Sequence, residues 1–80
     1  MTAAEQFGRN VFIARRRLGL SQETLAIFGG VHRQEVGLVE RGKRELRLST
    51  ILKLMRALGT EPNDLLGDVK LPKPLPLSER

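Results

Sequence analysis

Gln22-Glu23-Thr24-Leu25-Ala26-Ile27-Phe28-Gly29-Gly30-Val31-His32-Arg33-Gln34-Glu35-Val36-Gly37-Leu38-Val39 is the stretch of this sequence on which the fold turns. Four of its positions have a stereochemical logic. Ala26 falls inside a short helix expected over residues 22–28, where a small side chain lets another helix cross closely. Gly30 sits in the turn that follows, where a positive φ is cheap only for glycine. Val36 and Val39 fall on one side of a third helix, expected over residues 32–40, and can wedge it against the second. Two helices joined by a tight glycine turn and crossing at roughly 90–120° form a helix-turn-helix unit. Its second helix stands out from the body, so that its polar face can enter a groove about 12 Å wide.

The flanking segments read as further helices. Phe7, Val11, Ala14 and Leu18 mark one face of a first helix over residues 3–18, at the spacing of a period of roughly 3.6 residues. Gly19 stops it, and Arg15, Arg16 and Arg17 complement the dipole at its end. Ser21 is a good N-cap for the second helix, with Glu23 in its first turn, and Gly29-Gly30 breaks it. Residues 43–48 read as a connecting loop. Ser49 is expected to cap a fourth helix over residues 50–58, with Ile51, Leu54, Met55 and Leu58 on its inner face and Gly59 at its end. Pro62 suits the first turn of a short fifth helix ending near Leu66. From Val69 the composition changes to a Leu-Pro alternation that cannot be helical and favours extended backbone. The expectation is therefore an all-α body over residues 1–68 and a Pro-rich extended or disordered tail over residues 69–80.

Composition narrows the function. Eighty residues make one small domain, which buries only about 60% of its unfolded surface. With no cysteine and one histidine there is no disulfide framework and no set of zinc ligands, so no metal and no cofactor is expected. Aromatic content is 4%, with no Trp or Tyr, which argues against the stacking platforms that bind single strands. The formal charge of +5 in so small a chain suggests a polyanionic partner. The N-terminus lacks the pattern of a signal peptide, and no stretch approaches the roughly 20 apolar residues of a membrane span, so a cytoplasmic protein is expected. No nucleophile–base pair or phosphate loop points to an enzyme.

The run Gly19-Leu20-Ser21-Gln22-Glu23-Thr24-Leu25-Ala26, then Gly30-Val31-His32, then Val39-Glu40-Arg41-Gly42-Lys43, resembles the lambda-repressor and Cro type of helix-turn-helix protein, the XRE family. The resemblance covers residues 7–66 and implies a five-helix, lambda-repressor-like bundle that binds double-stranded DNA. It implies that Arg33, Gln34 and Leu38 face base edges: Arg suits guanine, Gln adenine, and Leu a thymine methyl. Gln22 would grip a phosphate at the start of the second helix, with His32, Arg41, Lys43 and Arg44 as further backbone contacts. Arg15 and Glu40 match a structural ion pair joining the first helix to the end of the third. The fourth and fifth helices often carry a dimer contact in this family, which points to Ile51, Leu54, Met55 and Leu65.

Several residues depart from the family pattern. Gly37 stands where Ser is common, and either permits close approach to DNA or only weakens its helix, by about 1 kcal/mol. Glu35 should point aside or read cytosine. Phe12, Ile27 and Phe28 stand where polar residues are usual, and are either partly buried or form an apolar patch for the tail or a second subunit. The expected function is a sequence-specific transcriptional regulator acting as a homodimer on a palindromic operator, like a phage repressor or a restriction–modification controller. The alternative is an antitoxin that represses its own operon and binds a toxin, a reading to which residues 42–48 lend some likeness because the usual Asn-Pro-Ser is absent.

Overall fold

Thr2 starts the first helix, α1 (Ala3–Arg17), with a capping box: its hydroxyl accepts from the Glu5 amide at 3.1 Å, and Glu5 accepts from the Thr2 amide at 2.8 Å. In this computed structural model, which describes residues 1–72 and 76, four helices follow: α2 (Gln22–Gly29), α3 (Arg33–Glu40), α4 (Leu48–Leu58) and α5 (Pro62–Leu66). Ser21 caps α2 by accepting from Thr24 N–H at 3.0 Å. Gly30 ends it in the left-handed region at φ 71°, which a β-carbon would disfavour. Gly29 is thus the last helical residue rather than part of the break.

Two further boundaries differ from expectation. Helix α4 starts at Leu48, with Arg47 as N-cap and Ser49 already inside the helix. The Ile51 amide is satisfied by the Arg47 carbonyl, so the turn closes before Ser49 can act as a cap. Leu18 lies beyond the last turn of α1 and is 54% exposed, not part of the inner face. Val69, the first residue of the expected tail, is partly buried against the core. The expected extended tail falls largely on residues 73–75 and 77–80, outside the described residues.

The core takes residues from every helix: Phe7 and Val11, Leu25 and Ala26, Val36 and Val39, Leu54, Met55 and Leu58, and Leu65. Ala26, Val36 and Val39 are all buried in this core, where α2 packs against α3, as their spacing suggested. Gly8 of α1 is as important to the placing of α3. A β-carbon there would overlap the Val39 carbonyl oxygen, so α1 and α3 touch backbone to backbone. Gly42, at φ 67°, repeats this at the end of α3, where a β-carbon would fall 2.6 Å from Glu5 Cγ. No described helix is long and apolar enough to cross a membrane.

Candidate nucleic-acid interface

Helix α3 is held from behind by one carboxylate. Arg15 Nε and Nη2 donate to the two oxygens of Glu40 at 2.6 and 3.0 Å, and Nη1 donates to the Leu20 carbonyl at 2.7 Å. Gln22 Nε2 adds a bond to Glu40 Oε1 at 3.1 Å. The Arg15 and Glu40 side chains are 7% and 5% exposed, so the pair is shielded from solvent and salt. One cluster thus ties α1, the start of α2 and the end of α3, and neutralises an acid that would otherwise repel a polyanion.

In front of that cluster, Gln22, Arg33, Gln34, Gly37, Leu38 and Arg41 line a single open depression. Arg33 and Gln34 are exposed and Leu38 is half-buried, so three side chains of different chemistry face solvent along one side of α3. Gln22 contributes less freely than the sequence suggests. Its amide group is already bound to Glu40, which leaves one side-chain N–H and the backbone N–H of the first helical turn for an anion.

The other cations lie around this depression rather than in it. His32 and Arg44 share a second polar hollow with Arg47 and Lys53 on the α4 side of α3. Arg47 ends the basic run over residues 41–47 that the sequence offers for phosphate contact, whereas Lys53 was not singled out. Lys43 lies elsewhere, lining a groove with Thr2, Ala3 and Ala4 at the start of α1. His32 occupies the N-cap of α3 without a side-chain cap bond. Glu35 turns aside: Thr50 Oγ1 donates to it at 3.4 Å, and Arg44 Nη1 stands 3.9 Å away.

Three of the four residues expected to join two copies have no surface to offer. Leu54 and Leu65 are fully buried and Met55 is 8% exposed, because the inner faces of α4 and α5 close the core against α1 and α2. Ile51 is half-buried. The exposed apolar residues of α4 are instead Leu48 and Leu52, one turn apart. Phe12, Ile27 and Phe28 are all exposed, and the Arg15 and Arg16 guanidinium groups stand over the Phe12 ring, 5.4 and 5.9 Å from its centroid.

A helix with an exposed polar face, flanked by cations and carried on a helix-turn-helix, defines a DNA-binding transcriptional regulator. Residues 13–65 match the helix-turn-helix family. Control protein C.SmaI of Serratia marcescens is 42% identical over 66 residues, which are 82% of this chain and 79% of that protein. Control protein C.BamHI of Bacillus amyloliquefaciens is 41% identical over 61 residues, 75% of either chain. The crystal structure of the restriction-modification controller protein C.AhdI from Aeromonas hydrophila superposes with a TM-score of 0.75 at 48% identity, covering 78% of this chain and 94% of that one. The chain belongs to this helix-turn-helix family, and within it lies close to the control proteins. Proteins of this kind are regulators, not enzymes.

Proposed function

We propose that this protein regulates transcription as a cytoplasmic homodimer on a palindromic operator, as a controller of restriction–modification genes. The observation that carries the reading is the depression on α3, where Arg33, Gln34 and Leu38 stand together in front of a neutralised Glu40. In this reading α3 enters the major groove, with Arg33 on guanine, Gln34 on adenine and Leu38 against a thymine methyl. Gln22, His32, Lys43 and Arg44 hold phosphates and set the register, with Arg47 and Lys53 beside His32 and Arg44. The dimer contact moves from the buried residues of α4 and α5 to the outward-facing Leu48 and Leu52 of α4, beside the half-buried Ile51. Similarity to proteins named as control proteins supports this reading over an antitoxin that binds a toxin.

Selection of bound fragments from random duplex DNA tests the proposal. The expected product is an inverted repeat whose half-sites lie about one helical turn, roughly 34 Å, apart. Arg33→Ala should then cost about 1–3 kcal/mol on the selected site and relax a single base position in each half. Recovery of fragments with no shared sequence would overturn the operator reading, and a lone unrepeated site would overturn the dimer.

A further inference from the structure

Arg41 follows the last residue of α3, and its backbone N–H donates to the Gly37 carbonyl at 3.1 Å. Residues 37 and 41 stand one turn apart on the same face, and helical side chains lean back toward the N-terminus. The Arg41 side chain does so over an unoccupied space. A β-carbon on Gly37 would lie 3.3 Å from Nη1, 3.8 Å from Nη2 and 3.9 Å from Cζ of Arg41. The guanidinium therefore sits against the bare α-carbon of Gly37. That seat lies inside the depression lined by Gln22, Arg33, Gln34 and Leu38, not past the end of the helix where a phosphate clamp is expected. Among the described residues Arg41 has no carboxylate partner; the ion pairs are Arg15–Glu40 and Arg44–Glu35. Its donors are uncommitted.

The position of Gly37 gains a reason from this. Glycine is penalised in a helix interior, so its use there calls for a compensating need. Here a β-carbon would stand closer to Nη1 than ordinary contact allows, so the guanidinium would have to give by a few tenths of an ångström, enough to disturb a paired contact with a base edge. Arginine in such a place suits recognition more than anchoring, because its planar fork matches the O6 and N7 edge of guanine with two parallel bonds.

We propose that Arg41 is a base-reading residue, taking the edge of a guanine other than the base faced by Arg33, and that Gly37 is the positioning residue that seats it. This revises the phosphate contact expected for Arg41 and rests on the DNA-binding reading above. The test is site selection followed by affinities on every single-base-pair variant of the selected site. It is run with the wild type, Arg41→Ala, Arg41→Lys and Gly37→Ala at two salt concentrations. Arg41→Ala and Arg41→Lys should both lose about tenfold or more of the discrimination at one base pair per half-site, with the rest of the consensus intact. Gly37→Ala should weaken the same position while its melting temperature does not fall. An unchanged consensus for Arg41→Ala, with all sequences weakened alike and a shallower salt slope, would return the residue to the phosphate backbone. Full discrimination by Gly37→Ala would remove the seat. A wild-type chain that selects no site would instead defeat the DNA-binding reading itself, which keeps the two failures apart.

Discussion

Two glycines inside helices make opposite demands on the same substitution. At Gly8 a β-carbon would meet backbone, the Val39 carbonyl oxygen, which cannot yield without moving α3. At Gly37 it would meet the far end of a flexible arginine. Helix propensity alone favours alanine by about 1 kcal/mol at both. Gly8→Ala should nevertheless destabilise by at least about 1–3 kcal/mol, the usual range for overpacking, whereas Gly37→Ala should be neutral or stabilising. Urea denaturation of the two variants checks this, and equal effects would contradict the close approach at Gly8. The ion pair makes a comparable demand. Arg15→Ala should cost about 3–5 kcal/mol by leaving Glu40 buried without its partner, and a double variant that also carries Glu40→Ala should recover part of the loss. Glu40 and Arg15 could be matched in the sequence because the resemblance aligns both. Gly8 gave no such signal, since its partner lies far along the chain and a lone glycine in an amphipathic helix reads as a weakness.

At the scale of single helices, what the sequence revealed depended on whether a helix end is governed by local chemistry. Ser21 and Gly30 bound α2 through bonds and dihedrals within a few residues, and both were legible. The start of α4 was not, because Leu46 packs on the core and so helps to fix where the chain re-enters the bundle, and the helix begins before Ser49. The capping box of α1 gives this scale a pH dependence. The Thr2 backbone N–H, then the Thr2 hydroxyl, hold the Glu5 carboxyl below its ordinary range, and the N-terminal charge and Lys43 act in the same direction. A carboxyl whose folded value lies below its unfolded one contributes stability at higher pH and loses it as pH falls through the folded value. The first turn of α1 should therefore fray below the ordinary carboxylate range. Amide chemical shifts of Thr2 and Glu5 followed through an acid titration should report it, and Glu5→Gln should abolish that titration. An unshifted midpoint in the wild type would mean that the box does not hold in solution.

Over the whole molecule, the distinction between core and contact surface was the part the sequence could not resolve. Periodicity marks which residues of α4 are apolar, but Leu54 and Leu52 are both leucines, and only packing makes the first fully buried and the second 54% exposed. The proposed homodimer depends on that difference. Leu48 and Leu52 stand one turn apart on the outward face, so a charge at either would oppose a second copy without disturbing the core. Leu52→Glu should leave the helical circular dichroism unchanged and shift sedimentation from dimer to monomer. Its affinity for a single half-site should match the wild type, while affinity for the full inverted repeat falls to nearly the half-site value, because linkage between the two halves is lost. Salt adds a second readout. Each phosphate contact contributes about −0.9 to the slope of log K against log salt, so a monomer on one half-site should show about half the slope of the dimer. A Leu52→Glu protein that sediments as a dimer and keeps the full slope would place the contact between copies elsewhere, with the exposed Ile27 and Phe28 of α2 as the next surface to examine.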